Sequence, residues 1–342
     1  MANSGDLINY AIRTKKSIER KIFLEICRKL INFDSLNNYQ YIGMGSKYFV
    51  DFKLFHRELG IENMVSIEGD SVREERYRFN IPFKCIKFKP GYTSEILPKL
   101  DYSKRSIIWL DYDGGFCLSV IGDIETICTN VISGSFFAFS VNSNFSKIGN
   151  PTEMCQYDSD CNKLNLKYSR LEWCKKEFGD RFPEYDYETN ESTEEKHLTP
   201  KNATKIIRKM VNNEIERVLA DRNALTEDED EKYSFKQTVS IIYKDGAPMY
   251  TYGGVFIKGK DRSKYDNCQF HRILHTNSED KHIEIKVPEL TLKEVDFLNS
   301  LIHLPEDEID IELEKYNITK SEFQEYKNIY RYFPYFSEVN IG

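Results

Sequence analysis

The chain has 342 residues, 40% of them hydrophobic and 30% charged, with 22 Tyr, 22 Phe and 2 Trp. That balance excludes a disordered or fibrous chain and suits one large α/β domain with additions. Fifty-five acids against 48 Lys and Arg give a net charge of −7, which disfavours non-specific coating of nucleic acid or of an anionic membrane.

The N-terminus, Met-Ala-Asn-Ser-Gly-Asp, lacks the basic and then apolar regions of a secretory signal, so a cytoplasmic location is expected. The longest apolar runs, Ser106 to Leu110 and Gly134 to Val141, fall far short of the about 20 residues that cross a bilayer. Eight cysteines are scattered without a C-x-x-C pair, and His271 and His275 read as surface histidines, so no metal is expected.

Leu7 to Ile31 carries Leu7, Tyr10, Ala11, Ile18, Ile22, Ile26 and Leu30 at helical spacing, predicting an amphipathic helix interrupted near Thr14. Arg13, Lys16 and Arg20 project from it. A short strand, Tyr39 to Ile42, runs into Gly43-Met44-Gly45-Ser46. Helical periodicity returns from Tyr48 to Leu59 and stops at Gly60, and Met64 to Ile67 makes a second strand ending at Glu68. Strand, helix, strand is a βαβ unit. A helix from Ser71 to Phe79, a strand from Cys85 to Phe88, a helix from Thr93 to Leu100 and a strand from Ser106 to Leu110 follow. After Asp111-Tyr112-Asp113-Gly114-Gly115 come a helix near Leu118 to Val131 and the strand Ser135 to Val141. Such alternation predicts a parallel sheet covered on both faces.

From Asn142 to Pro200 the chain turns polar and acid-rich, with a helix near Arg170 to Phe178, and reads as an insertion and candidate lid. Pro200 to Arg222 is again helical. Tyr233 to Tyr243 and Met249 to Ile257 flank an Asp-Gly turn and predict an antiparallel hairpin. The remainder holds a strand at Ile283 to Val287, a helix opened by Thr291 with Glu294 in capping-box spacing, an acidic run from Glu306 to Glu314, and a helix from Lys320 to Tyr332.

Four groups of residues suit chemistry. Gly43 and Gly45, directly after the first strand, let backbone approach a nucleotide, with Ser46 and Tyr48 beside them. Glu68 ends the next strand, where an acid accepts hydrogen bonds from ribose hydroxyls; Asp70 reads rather as a helix cap. Asp111, Tyr112 and Asp113 stand at the carboxyl edge of the fourth strand, placed to prepare a nucleophile or orient an amine. Arg13, Lys16 and Arg20 are candidates for holding a substrate carboxylate or phosphate, Asp51 for facing the site, and Asn142 for binding substrate or serving as a third oxygen for a cation beside the two acids.

Taken together, these residues resemble the class I S-adenosylmethionine-dependent methyltransferases over Tyr39 to Ile257. The resemblance implies a Rossmann-like α/β fold with seven strands in the order 3-2-1-4-5-7-6, the seventh antiparallel, and the hairpin Tyr233 to Ile257 as its closing pair. It implies S-adenosylmethionine as cofactor, with Gly43, Gly45, Ser46 and Tyr48 beside its methionine part and Glu68 on its ribose. It places Asp111, Tyr112 and Asp113 opposite the methyl group as catalytic residues. Tyr41 and Lys47 stand where that family usually has an acid and a third glycine. The Asp/Asn-Pro-Pro-Tyr signature of amino-group methyltransferases is absent from Leu-Asp-Tyr-Asp, which disfavours exocyclic base methylation.

The expected organisation is an N-terminal helical segment (1–38), a methyltransferase-like domain (39–257, with the insertion 142–200) and a C-terminal extension (258–342). The expected function is methyl transfer to a small molecule or protein, O-methylation being favoured. One alternative is a cofactor-sensing or assembly protein on the same fold. Another is a nucleic-acid methyltransferase guided by a winged-helix-like start at Leu290 to Glu294, although the acids of Glu306 to Glu314 would repel phosphates. No membrane partner is expected. Tyr326, Tyr330, Tyr332, Phe333, Tyr335 and Phe336 are candidates for a homodimer surface or for packing onto the chain's own sheet.

Overall fold

The computed structural model describes residues 13–69, 71–144, 155–157, 163–166, 169–184, 193–194, 196, 198–273 and 282–335. The expected start of the first helix, Asp70, much of the 142–200 insertion, His275 and Phe336 lie outside the described residues.

Five strands run parallel: β1 (Gln40–Gly43), β2 (Asn63–Glu68), β3 (Ile86–Pro90), β4 (Ser106–Gly115) and β5 (Ser135–Asn142). A small hairpin, β6 (Cys155–Tyr157) and β7 (Lys163–Leu166), stands apart as a two-stranded sheet. The long hairpin of β8 (Tyr233–Asp245) and β9 (Ala247–Lys258) then joins the main sheet through β9, which pairs antiparallel with β5. The order is β3-β2-β1-β4-β5-β9-β8-β10. With β8 and β9 as sixth and seventh strands, this is the expected order, and β9 alone runs against its neighbours.

Two expectations are corrected. The main sheet has eight strands among the described residues, because β10 (Ile283–Glu284) adds to β8 in parallel at Ile241 and Ile242. The strand expected at Ile283 to Val287 makes ladder pairs at only two of these residues, and its period carries no information on which sheet it joins. Secondly, β4 does not stop at Leu110. It continues through Asp-Tyr-Asp-Gly-Gly, with its register against β5 shifting between Asp111 and Gly115.

Side-chain alternation along the strands builds two core layers. On one face Ile42, Val65, Ile108, Leu110, Phe137 and Phe139 pack with α5 (Leu118–Asn130) and α7 (Pro200–Asn223). On the other Tyr41, Met64, Ile107, Trp109, Phe136 and Ala138 pack with α1 (Thr14–Lys29) and α2 (Val50–Leu59). Strands buried on both sides explain the near-continuous apolar runs read in β4 and β5. α2 ends at Gly60, whose φ of 68° lets its N–H cap His56 O. The expected helices Ser71–Phe79 and Thr93–Leu100 are each part α-helix and part 3-10 turn, α3 covering Glu74–Phe79 and α4 Thr93–Ile96.

α6 (Arg170–Phe178) opens with a capping box of Ser169 and Glu172 and buries Cys174 and Phe178 in the first core layer. Near the end of the chain, α8 (Arg262–Cys268) precedes α9 (Leu292–Leu301), α10 (Glu306–Glu314) and α11 (Lys320–Ile329). The last three share a core of their own, including Val295, Leu298, Ile309, Leu313, Phe323 and Tyr326. α9 has the expected Thr291–Glu294 capping box. The acidic run Glu306 to Glu314 is helical: Ile309 and Leu313, four apart, bury one face, and acids in the first turn favour the positive end of the helix dipole. Tyr326 and Tyr332 are buried within the chain, whereas Tyr335 is exposed. Among the described residues, no helix is long and apolar enough to cross a membrane.

Candidate functional site

Parallel strands with helices on both faces leave a crevice at their carboxyl ends, and there the chain encloses a cavity of about 510 Å³. Met44, Gly45, Ser46 and Lys47 line it from the loop between β1 and α2, and Ile67, Glu68 and Gly69 from the end of β2. Arg73, Arg76 and Tyr77 face it from α3 and the turn before it, Gly91 to Ser94 from the segment after β3, and Asp111, Tyr112 and Asp113 from β4. Arg20 of α1, Val50 and Asp51 of α2, and Ser119 of α5 complete it.

The loop after β1 is held tightly. Gly45 N–H donates to Ser66 Oγ at 3.2 Å, and Ser46 N–H donates to Glu68 Oε1 at 2.5 Å. A Cβ on Gly45 would lie 2.6 Å from the Phe49 ring and 2.8 Å from Ser66 Oγ, so only glycine fits without a shift. Ser46 and Phe49 adopt φ of 47° and 50°, a left-handed conformation that non-glycine residues hold only where their surroundings impose it. Gly43 serves another purpose. It lies within β1, where a Cβ would come 2.5 Å from Tyr41 Oη, and it makes room for that ring rather than lining the cavity.

A buried charge cluster backs the β4 wall. Lys16 Nζ donates to Asp111 Oδ1 at 2.7 Å, lies 2.7 Å from Glu19 Oε2 and sits 4.5 Å from the centre of the Trp109 ring. Glu19 also accepts from the hydroxyls of Tyr243, at 3.1 Å, and Thr251. Burial by itself would lower the Lys16 pKa, but the charges of Asp111 and Glu19 more than offset it and hold the ammonium above its ordinary value. Arg20 pairs with Asp51, and the same contest between burial and the Asp51 carboxylate leaves its pKa raised. Next to these, Tyr112 donates its hydroxyl proton to Asp123 Oδ2 at 2.6 Å. Burial, and then the Asp123 charge, push the Tyr112 phenol well above its usual range.

Of the residues singled out from the sequence, Arg20, Gly45, Ser46, Asp51, Glu68, Asp111, Tyr112 and Asp113 share the cavity. Five others do not line it. Gly43 lies in β1; Tyr48 is half-buried beside it, with the Lys47 ammonium 5.1 Å from its ring centre. Arg13 ties α1 to the β8–β9 turn through Asp245, with Nε 2.8 Å from Oδ2. Lys16 lies behind the wall. Asn142, at the end of β5, accepts from Asn144 N–H at 2.9 Å. Among the described residues no three His, Cys, Asp or Glu side chains are grouped as a metal ion would need.

Sequence reasoning missed Arg73, Arg76 and Tyr77, whose spacing of three and four places them on one helical face, and the Gly91 to Ser94 segment. Gly91, following a predicted strand at the same sheet edge, was a usable signal. Asp123, one turn beyond Ser119 on α5, gave none.

A family model described as "Putative O-methyltransferase" matches residues 8–341. Comparison with curated proteins found no match. Among solved structures, a chain of the Haloferax volcanii complex containing the Trm112 methyltransferase activator is 16% identical over 37% of this chain and 55% of that one, with a TM-score of 0.29. Trm1 from Pyrococcus horikoshii, in complex with S-adenosyl-L-methionine, is 10% identical over 74% of this chain and 57% of that one, with a TM-score of 0.41. The B. subtilis M1A22 tRNA methyltransferase TrmK is 9% identical over 89% of this chain and 93% of that one, with a TM-score of 0.34. The chain thus spans a little over half the length of the first two.

Proposed function

The chain belongs to this methyltransferase family, and on that premise we propose that it moves the methyl group of S-adenosylmethionine to an oxygen of a small molecule or a protein, with the cavity at the carboxyl edge of the sheet as its active site. The observation that carries the reading is the convergence of Gly45, Ser46, Glu68, Asp111 and Asp113 on one cavity of about 510 Å³, a volume within the usual range for small-ligand sites.

The side chains present fit the cofactor. Glu68 is an acid for the ribose hydroxyls. Arg20, Lys47, Arg73 and Arg76 provide cations for a carboxylate, and Asp51 provides an anion for an ammonium. When bound, S-adenosylmethionine supplies an electrophilic methyl group for in-line displacement, a reaction governed by alignment and exclusion of water.

The acids of β4 then divide the work on the acceptor. Asp111, paired with Lys16, is the fixed negative charge that orients it. Asp113, exposed near the cavity mouth, takes the proton of the acceptor hydroxyl. Burial, and then the Asp123 charge, keep the proton on Tyr112, so it acts as a wall rather than a base.

Calorimetric titration with S-adenosylmethionine and S-adenosylhomocysteine, with NAD as control, tests the reading. Micromolar binding that Glu68→Ala weakens by about 1–3 kcal/mol supports it. Absence of binding by both compounds overturns it.

A further inference from the structure

Behind the cavity wall, Asp123 of α5 is 1% exposed. Its Oδ2 accepts hydrogen bonds from two hydroxyls, that of Tyr112 at 2.6 Å and that of Thr93. Among the described residues its Oδ1 has no partner. Thr93 and Tyr112 both line the cavity, while Asp123 does not.

A hydroxyl has one proton to donate and lone pairs to accept with. Here both protons are committed to one carboxylate oxygen, so what Thr93 and Tyr112 can offer a ligand is acceptor capacity. A ligand N–H meeting them is satisfied. A ligand carbonyl meets lone pairs, loses its water and gains no donor, the situation that gives the steepest discrimination in polar sites.

We propose that Thr93 and Tyr112, held by Asp123, form a subsite that selects an amino group and rejects the matching carbonyl group. The proposal rests on the cavity being the methyl-transfer site. Asp123 acts in it as a positioning residue, since it reaches the ligand only through the two hydroxyls. Burial holds the Asp123 pKa above its ordinary value, and the hydrogen bonds it accepts from Thr93 and Tyr112 offset part of that rise. The amino group has two sources: the exocyclic amine of the cofactor's adenine, or an amine on the methyl acceptor.

Two binding arms on the full chain separate them. In the first, calorimetry compares S-adenosylhomocysteine with S-inosylhomocysteine, its 6-oxo counterpart. The wild type should prefer the amino compound by about tenfold or more. Thr93→Val/Tyr112→Phe, which removes the acceptors, should bring the ratio close to one, and Asp123→Leu, which frees the hydroxyls to donate, should lower it as well. In the second arm, protein saturated with S-adenosylhomocysteine is titrated with tyramine and with 4-hydroxyphenylacetone, which carries a carbonyl at the amine's position. Equal nucleoside binding in the first arm, with a preference for tyramine that the double variant loses, assigns the subsite to the acceptor.

No discrimination in either arm, or discrimination that Thr93→Val/Tyr112→Phe leaves intact, overturns the proposal. Failure of S-adenosylhomocysteine to bind at all refutes the cofactor reading instead. The tyramine and 4-hydroxyphenylacetone titrations of the free protein then decide the subsite on their own.

Discussion

Lys16 and Asp111, 95 residues apart in the chain, meet in a hydrogen-bonded ion pair of 2.7 Å behind the β4 wall of the cavity. The N-terminal helix is thereby bonded to the site rather than appended to the domain. Because Lys16 is 2% exposed and Glu19 fully buried, the pair lies where charges are costly unless each has a partner.

Removing Lys16 should therefore do more damage than removing Asp111. Lys16→Met leaves Glu19 buried without its cation and should cost about 3–5 kcal/mol, measured by urea denaturation. Adding Glu19→Gln should recover part of that loss. If Lys16→Met alone is neutral, the buried cluster does not support the fold as argued.

On the β4 wall, Asp111→Ala and Asp113→Ala should each lower the rate of transfer by about 10²-fold or more while S-adenosylhomocysteine still binds. Single-turnover kinetics beside calorimetry would show the split. Normal turnover by both variants would remove the β4 acids from the chemistry.

Gly45→Ala tests the loop. Its Cβ would come 2.6 Å from the buried Phe49 ring and 2.8 Å from Ser66 Oγ, so the loop must shift. A cost of about 1–3 kcal/mol in stability and weaker cofactor binding are expected, both readable in one ligand-dependent melting series. Gly43→Ala, which displaces only the Tyr41 ring from its place under β1, should affect stability and leave the loop's own contacts in place.

Acid should destabilise the far edge of the sheet through His282. This ring lies between Thr204 Oγ1 at 2.9 Å and Ser240 Oγ at 2.8 Å, with Tyr250 edge-on. Burial first, and then Arg208 and Lys205, lower its pKa from 6.5 to about 4. The folded protein thus resists a proton that the unfolded chain accepts, so this contribution is complete above pH 6.5 and is lost as pH falls from 6.5 toward 4. After discount for partial solvent screening the loss is about 1–2 kcal/mol. Urea midpoints between pH 4 and 7 should fall for the wild type and flatten for His282→Gln; parallel curves would refute the assignment.

Much of this molecule was legible in its residues because the signals are local. Strand periods, helix periods and the punctuation of Gly60 and Asp245-Gly246 mark the alternation of elements, and alternation commits the chain to a parallel sheet with its ligand edge at the strand ends. Gly45, Glu68, Asp111 and Asp113 could be placed on the cavity from sequence because each lies at or near the carboxyl end of a strand, and that edge of such a sheet has a fixed destination. Which charges face the cavity was decided only by tertiary packing. Lys16 and Arg20 are four residues apart on one helix, yet Arg20 lines the cavity while Lys16 is drawn behind it by Asp111 and Glu19. Arg13 goes to the β8–β9 turn, and Asp123 reaches the site only through Thr93 and Tyr112. These pairings join distant segments, and their energies depend on burial and on the docking of each helix. No spacing along the chain encodes either quantity.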